Sequence, residues 1–250
     1  MKKLFPAALT LLLISTSVLA QSEETALSRA APALAAYNKN IVEGELWKRS
    51  GLTPRDRSIV SVAALIASGK TELQPKEFSR ALDNKVTPTE LSGIITHLAF
   101  YGGWSNGIAA AKTAAVLYDQ RGISANSLPG ADLELLPLNQ AVESAREKSV
   151  QENFGKTAQG VVDFTRDPMF LNLWRRPDLT PRDRSLITVS SLVANGQVQQ
   201  VPFHLNRAMD NGLTQAEASE ALTQLAFYAN WPSVYSAMPV FQKVFDSRSK

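Results

Sequence analysis

Residues 52–58 read Leu-Thr-Pro-Arg-Asp-Arg-Ser, and the same seven residues return at 179–185. In each copy a threonine is followed directly by a proline and stands three residues before an aspartate. This arrangement is typical of a helix N-terminus, because the hydroxyl accepts a hydrogen bond from a free amide, proline suits the first turn and the acid suits the positive helix end. The residues that follow carry few charges, so we predict a helix that is buried on most sides.

The two copies belong to a tandem duplication with an offset of 181 − 54 = 127 residues. Residues 46–49, Leu-Trp-Lys-Arg, correspond to residues 173–176, Leu-Trp-Arg-Arg, and the correspondence runs without a gap to Trp104 and Trp231. A period of this length indicates a duplicated domain rather than a solenoid unit. We predict two copies packed as an intrachain pseudo-dimer: a first repeat over 31–119, a connector over 120–157 and a second repeat over 158–246.

Each repeat is predicted to contain four helices, so the fold class is all-α, a helical bundle. The first helix ends at a glycine, the second is short, the third begins at a capping box and the fourth is alanine-rich in the first repeat. The corresponding positions are Gly69 and Gly196, Lys76 to Asp83 and Phe203 to Asp210, Thr87 and Thr214, and Ile108 to Tyr118. Gly212 suits the left-handed position after the second helix, where the first repeat has Lys85. Pro239 is expected to kink or break the last helix, and the connector is expected to hold one helix from Leu138 to Gln151.

The composition excludes several classes of function. The 250 residues include no cysteine, which removes thiol nucleophiles, disulfide scaffolds and iron–sulfur ligation. Only two histidines are present, His97 and His204, without a metal-binding motif, so we expect no metal. With 26 basic and 23 acidic residues the formal charge is +3, and neither nucleic acid nor an anionic membrane is implied as a partner.

Residues 1–20 have the form of a secretory signal peptide. Lys2 and Lys3 precede an apolar run over 4–14, and Val-Leu-Ala at 18–20 provides a cleavage site. The apolar run is too short for a transmembrane helix. We therefore expect cleavage after Ala20, a periplasmic or secreted protein, and no membrane insertion after cleavage.

Three motifs follow one another in the second repeat. They are the Arg-Asp-Arg-Ser cap with its apolar helix and glycine, Pro-Phe-His-Leu-Asn-Arg-Ala-Met-Asp-Asn-Gly-Leu-Thr at 202–214, and Leu-Thr-Gln-Leu-Ala-Phe-Tyr-Ala-Asn-Trp-Pro at 222–232. Their order and spacing resemble the carboxymuconolactone decarboxylase family, closely over 182–231 and a little less so over 55–104. The resemblance implies an AhpD-like helical fold. Because single-repeat members usually form hexamers, it also implies a homo-oligomer, a trimer of two-repeat chains.

The family's alkylhydroperoxidase branch uses a CxxC pair, a following histidine and an upstream glutamate. In the second repeat those cysteine positions fall on Gln197 and Gln200, and the glutamate position falls on Ser185. Only His204 remains of that machinery, so a thiol peroxidase is disfavoured. The sequence resembles the decarboxylase branch instead.

Decarboxylation of a carboxylated lactone places negative charge on a dienolate. Such a site requires cations for carboxylates, donors for the enolate oxygen and an acid that returns a proton, and it needs no cofactor. The resemblance makes His204 the candidate catalytic acid and base. The candidate substrate-binding residues are Arg207, Arg184, Arg182, Tyr228 and Trp231. Their counterparts Glu77, Arg80 and Arg57 mark a possible second site.

Some of these residues also have structural interpretations. Arg57 and Arg184, with Asp56 and Asp183, are interpreted as ion pairs that tie the repeats together. Aromatic side chains at helix ends, such as the tyrosine and tryptophan of each repeat, usually pack in a core or an interface.

Two positions differ between the repeats in an informative way. His97 corresponds to Gln224, which indicates a hydrogen-bonding role that either side chain fills. His204 corresponds to Glu77, so the two sites differ chemically. Either Glu77 belongs to a site that has been lost, or Glu77 and His204 meet across the pseudo-two-fold axis.

The leading hypothesis is an exported, cofactor-free decarboxylase that acts on a small carboxylated lactone or a related enolisable acid. The alternative is a non-catalytic periplasmic ligand-binding or stress-related protein on the same fold. Proton exchange into a bound enolisable acid favours the enzyme. A shifted titration of the His204 imidazole without turnover favours the binding protein.

Overall fold

The computed structural model describes residues 24–249, and the regular elements within this range are all helical, which confirms the all-α class. The signal peptide predicted for residues 1–20 lies outside the described residues. The longer helices are α1 (Pro54–Ala67), α2 (Gln74–Asp83), α3 (Pro88–Tyr101), α4 (Trp104–Arg121), α5 (Gln140–Phe164), α6 (Pro181–Ala194), α7 (Val201–Asp210), α8 (Gln215–Tyr228) and α9 (Trp231–Arg248). The shorter elements are a helix over 24–30, Pro32–Tyr37, π-helical turns at Asn38–Glu43 and Thr165–Phe170, and 3-10 turns at Leu46–Lys48, Ala125–Ser127 and Leu173–Arg175.

The duplication is visible residue by residue. Helices α1 to α4 return as α6 to α9 with both ends displaced by 127 residues, and so do the π-helical and 3-10 turns that precede them. The tandem arrangement predicted from the sequence is thus confirmed. The short second helix begins two residues earlier than predicted in each repeat, at Gln74 and Val201.

The two repeats share one core. Helices α1 and α6 pack against each other at its centre, while α8 packs on α1 and α3 packs on α6, so each repeat is covered by a helix of the other. Every residue from 56 to 67 and from 183 to 194 is buried, as predicted for this pair. Within residues 24–249, none of the helices combines the length and the apolarity that crossing a membrane would require.

The predicted caps set the helix starts. Thr53 and Thr180 accept hydrogen bonds from the amides of Asp56 and Asp183 at 3.0 and 3.1 Å. Complete capping boxes begin α3 and α8, in which the threonine side chain accepts from the glutamate amide and the glutamate carboxylate accepts from the threonine amide. These local bonds fix the first turns of the helices that carry the interface between the repeats.

The helix does not break at Pro239, because α9 continues through it from Trp231 to Arg248, so this part of the expectation is wrong. Ala237 and Phe241 are buried on either side, so packing holds the helix together across the missing amide. The connector helix α5 is also longer than predicted and extends into the second repeat. A kink at Ala158, with φ −156° and ψ 75°, divides it into two helical segments.

Lys85 and Gly212 occupy the same left-handed position after α2 and α7, with φ of 74° and 98°. A side chain with a Cβ atom is disfavoured there. We expect Lys85→Gly to raise the free energy of unfolding by about 0.5–1 kcal/mol, and Gly212→Ala to lower it by about 1 kcal/mol. Urea denaturation followed by circular dichroism measures both. A loss of stability in Lys85→Gly would contradict the strain argument.

An ion network joins the N-termini of α1 and α6. Arg182 donates to Asp56 at 3.0 Å and to Glu217 at 2.7 Å. Arg55 donates to Asp183 at 2.7 Å and also to its own repeat's Glu90. The repeats are therefore tied by these arginines, which corrects the pairing that the sequence suggested.

Arg57 and Arg184 are instead fully buried and bind other carboxylates. Arg184 donates to Asp178 of its own repeat at 2.7 Å, whereas Arg57 donates to Glu220 of the other repeat at 2.7 Å. The counterparts of these two acids are glycines. A Cβ atom on Gly51 would lie 2.7 Å from Cγ of Glu220, and one on Gly93 would lie 3.1 Å from Cγ of Asp178. Each glycine thus leaves room for the carboxylate that serves the buried arginine.

Candidate functional site

A group of aromatic and basic side chains surrounds His204, and we call it the His204 cluster. Its members are His204 and Arg207 from α7, Trp174 and Phe170 from the turns before α6, and Tyr101 from the end of α3 in the first repeat. The imidazole stacks on Trp174 with ring centroids 5.8 Å apart and meets Tyr101 edge-on at 5.5 Å. The cluster is therefore built from both repeats.

Local structure explains how these side chains meet. His204 and Arg207 are three residues apart and lie on the same face of α7. The indole Nε1 of Trp174 donates to the hydroxyl of Tyr101 at 2.9 Å, which fixes the tryptophan across the interface between the repeats. Phe170 stacks on Trp174 with an interplanar angle of 2°. The result is a flat aromatic floor with a basic edge.

His204 is an almost buried imidazole, 8% exposed, and its Nδ1 has no protein hydrogen-bond partner. Burial, and then the positive charge of Arg207, lowers its pKa to about 4. The ring is therefore neutral at pH 7. A ligand with negative charge placed beside it would favour the imidazolium form.

Arg207 carries a positive charge without an ion-pair partner among residues 24–249. Its guanidinium lies over the ring of Trp174 at 4.2 Å and over Phe170 at 5.4 Å. Burial lowers its pKa, but an arginine stays charged in proteins. Stacking alone does not neutralise a guanidinium, so this edge of the cluster attracts an anion.

His97 packs against Tyr101, a member of the His204 cluster. Its Nδ1 lies 3.4 Å from Nη1 of Arg184, and its Nε2 lies 2.7 Å from the hydroxyl of Thr188. Because a guanidinium only donates, Nδ1 must accept and the ring proton must sit on Nε2. Burial holds the pKa of this imidazole well below its usual range. The ring stacks on Tyr101 at 4.8 Å and so orients it.

Gln224 makes the equivalent bonds in the other repeat. Its Oε1 accepts from Arg57 at 3.1 Å, and its Nε2 donates to Ser61 at 2.9 Å. The amide thus places an acceptor and a donor where the imidazole places them. His97 and Gln224 therefore fill the same hydrogen-bonding role, as the sequence comparison of the repeats indicated.

The connector contributes a second basic group. The guanidinium of Arg146 on α5 lies over Phe170 at 4.1 Å and pairs with Glu143 one turn away. The position 127 residues earlier is Leu19, which lies outside the described residues. The connector helix thus adds a guanidinium to the aromatic rings beside His204.

The remaining sequence candidates lie elsewhere. Arg182 belongs to the ion network between the repeats, and Arg184 forms an ion pair with Asp178. Neither arginine is therefore a cation without a partner. Tyr228 belongs to a different cluster, described below. Trp231 is 53% exposed and packs on Phe227 and Tyr235. These four residues do not line the His204 cluster, which corrects the expectation from the sequence.

The counterpart of this site we call the Glu77 cluster, made of Glu77, Arg80, Trp47, Glu43 and Tyr228. Tyr228 donates to Oε1 of Glu77 at 3.1 Å and accepts from the indole of Trp47 at 2.9 Å. Burial raises the pKa of Glu77. Because Glu77 contacts Tyr228 while His204 packs on Tyr101, the two side chains lie in separate clusters and do not meet across the pseudo-two-fold axis.

The two clusters differ in charge. Arg80 lies over Trp47 at 4.3 Å, as Arg207 lies over Trp174, but it also donates to Glu43 at 2.7 Å and lies 3.8 Å from Oε2 of Glu77. The positions of these two acids are held by Phe170 and His204 in the second repeat. The arginine is thus neutralised in one cluster and left unpaired in the other. No group of three potential metal-ligating side chains occurs among the described residues.

Comparison with known proteins agrees with this architecture. The family model for the carboxymuconolactone decarboxylase family matches twice, over residues 32–116 and 161–243. A 4-carboxymuconolactone decarboxylase of Acinetobacter baylyi is 28% identical over 113 residues, which are 42% of this chain and 84% of the relative. A nitrosuccinic acid decarboxylase of Metarhizium robertsii is 34% identical over 74 residues, 30% of this chain and about half (52%) of the relative.

A solved structure shows the same fold. It is described as a gamma-carboxymuconolactone decarboxylase subunit from Burkholderia xenovorans LB400, and it superposes with a TM-score of 0.51 at 17% identity, covering 90% of both chains. The two family matches coincide with the two helical repeats. This chain therefore belongs to the carboxymuconolactone decarboxylase family, and it carries two copies of the family's domain in tandem.

Proposed function

We propose that the His204 cluster decarboxylates a small dicarboxylic acid in which the departing carboxylate stands next to an electron-accepting group. The observation that carries this proposal is the unpaired Arg207 guanidinium beside a neutral imidazole, on an aromatic floor. The named substrates of the two relatives support the substrate class. An unsaturated lactone and a nitro group both accept an electron pair from a breaking carbon–carbon bond.

Arg207 binds the carboxylate that the substrate keeps. A cation placed on the departing carboxylate would stabilise the ground state more than the transition state and would slow the reaction. The departing carboxylate must then lie away from Arg207 and away from Arg146, whose guanidinium also lies over Phe170, so that few groups solvate it.

Tyr101 and His204 complete the reaction. When the bond breaks, carbon dioxide leaves and the electron pair moves into the acceptor group, whose oxygen receives a hydrogen bond from the Tyr101 hydroxyl. That hydroxyl already accepts from Trp174, and among the described residues no group takes its hydrogen. The His204 imidazolium, which forms when the anionic substrate binds, then gives its proton to carbon.

The test is the release of carbon dioxide from 4-carboxymuconolactone and from nitrosuccinate by the purified protein. We expect turnover of at least one of them, and a loss of about 100-fold or more in kcat/KM for Arg207→Met, since an unpaired substrate carboxylate costs several kcal/mol. Arg80→Met, the equivalent change in the Glu77 cluster, is the matched control and should keep its activity.

Two outcomes contradict the proposal. Equal losses in Arg207→Met and Arg80→Met would mean that charge at the cluster is not what binds the substrate. Binding of both acids with a shifted His204 titration but without carbon dioxide release would replace the enzyme by a ligand-binding protein.

We also propose that the mature chain is exported and forms a homotrimer. The pattern of residues 1–20 supports export. The exposed aromatic side chains Trp104, Trp231 and Tyr235, between 53% and 64% exposed, support association through α4 and α9. Light scattering on the secreted protein is expected to give three times the chain mass, and Trp231→Ser is expected to lower it. A monomeric mass would contradict the trimer.

A further inference from the structure

The Glu77 cluster, together with Gln74 one turn earlier on α2, contains buried polar atoms that no protein group satisfies. They are both amide atoms of Gln74, Oε2 of Glu77 and Nη1 of Arg80. Gln74 is completely buried and Glu77 is 3% exposed. Buried polar atoms are nearly always hydrogen-bonded, and an unsatisfied one is costly. This concentration of unsatisfied atoms indicates a place for another molecule.

The three side chains are neighbours along α2. Gln74 and Glu77 are three residues apart, and so are Glu77 and Arg80, so each pair is adjacent on the surface of that helix. Tyr228 and Trp47 close the cluster from the other side through their hydrogen bonds with Glu77 and with each other. In the second repeat Val201 replaces Gln74, so this polar set exists only in the first repeat.

The charges exclude a carboxylate as the occupant. Arg80 lies 2.7 Å from Glu43 and 3.8 Å from Glu77, and Glu43 also lies 3.7 Å from Lys76. Two basic groups thus face two acidic ones, and the cluster offers an anion no net positive charge. A carboxylate also has no hydrogen to offer to the two acceptor atoms, Oε1 of Gln74 and Oε2 of Glu77. The ligand must therefore be uncharged, and it must both donate and accept.

A carboxamide fits this pattern. It presents an N–H beside a C=O, and the side-chain amide of Gln74 presents the complementary pair, so the two amides can form two parallel hydrogen bonds. Oε2 of Glu77 and Nη1 of Arg80 offer a second acceptor and donor to the same group. We propose that Gln74, Glu77 and Arg80 form a second small-molecule site, distinct from the His204 cluster, that binds an uncharged carboxamide.

The four tryptophans of the chain allow the two sites to be observed separately. In a nitrogen-15-labelled protein, the indole signal of Trp47 reports on the Glu77 cluster and that of Trp174 on the His204 cluster, while exposed Trp104 and Trp231 serve as controls. Single Trp→Phe variants assign the signals. The probes are 2-pyrrolidinone, a cyclic carboxamide, and propanoate, a monocarboxylate of similar size.

We expect 2-pyrrolidinone to move the Trp47 signal to saturation and to leave Trp174 in place, whereas propanoate leaves Trp47 in place. Gln74→Val, which installs the residue of the second repeat, should abolish the Trp47 response. Gln74→Met gives the same test with a side chain of similar length. An absent or unsaturable Trp47 shift, or an unchanged response in both folded variants, would overturn the proposal. A missing response of Trp174 to propanoate bears only on the decarboxylase proposal.

Discussion

His204→Ala is expected to lower kcat/KM for the decarboxylated acid by 10²- to 10⁴-fold, the usual range for loss of a general acid. The fold should survive, because neither ring nitrogen of His204 holds a protein hydrogen bond in the described part of the chain, and α7 is anchored by buried Val201, Leu205 and Ala208. Steady-state kinetics with circular dichroism as a folding check measures both effects. A variant that retains more than about a tenth of the wild-type rate would exclude proton transfer by this ring.

The protonation of His204 provides an independent readout. Its pKa of about 4 in the free protein means that the ring is neutral at pH 7, and a bound dianion raises the pKa. Substrate-analogue binding at pH 7 should therefore take up a proton, and affinity should increase as the pH falls toward 4. Titration calorimetry in buffers with different ionisation enthalpies counts that proton. His204→Ala should bind without proton uptake, and an equal uptake in this variant would place the proton elsewhere.

Asp178→Ala is expected to lower the free energy of unfolding by about 3–5 kcal/mol, because it leaves a fully buried guanidinium without its carboxylate. The Asp178 carboxylate accepts from Arg184 at 2.7 Å and from Arg176 at 2.8 Å, and its side chain is 1% exposed. The carbonyl of Arg176 and Nδ1 of His97 remain as partners for Arg184, but neither is charged. Urea denaturation measures the loss.

Two variants control this measurement. Asp178→Asn keeps the shape and one acceptor, so the difference from alanine separates packing from charge. Glu152→Ala removes one partner of an exposed pair with Lys148 at 3.8 Å and should have no measurable effect. A loss below about 1 kcal/mol in Asp178→Ala would mean that water reaches Arg184 after the substitution.

Local signals in the sequence were sufficient for most of the fold. The threonine caps predicted the starts of α1, α3, α6 and α8, and the constant offset predicted that the helices of one repeat return in the other. The predictions failed at two helices. Helix α9 continues through Pro239, where Ala237 and Phe241 are buried on either side. Helix α5 extends beyond the good helix formers at its start although only Glu143 and Val162 of it are buried, so packing does not explain its length.

The candidate site was only partly accessible to sequence reasoning. His204 and Arg207 were identified, but Tyr228 was assigned to them where the structure places Tyr101. The offset makes these two tyrosines equivalent, so only the packing of α3 on α6 decides which of them reaches the imidazole. One available signal was overlooked. Phe170 corresponds to Glu43, and this difference already indicates that Arg80 has an acidic partner whereas Arg207 lacks one at that position.

The placement of Glu220 opposite Gly51, and of Asp178 opposite Gly93, has a consequence for the way repeats pair. If two first repeats paired with each other, both Arg57 side chains would be buried with glycine, Gly51 or Gly93, at the two positions that supply the acid in the native pairing. If two second repeats paired, Asp178 and Glu220 would compete for the same space and crowd one arginine with two carboxylates. A first repeat therefore packs well only on a second repeat. This favours pairing of the two repeats within one chain over pairing of two identical repeats from different chains.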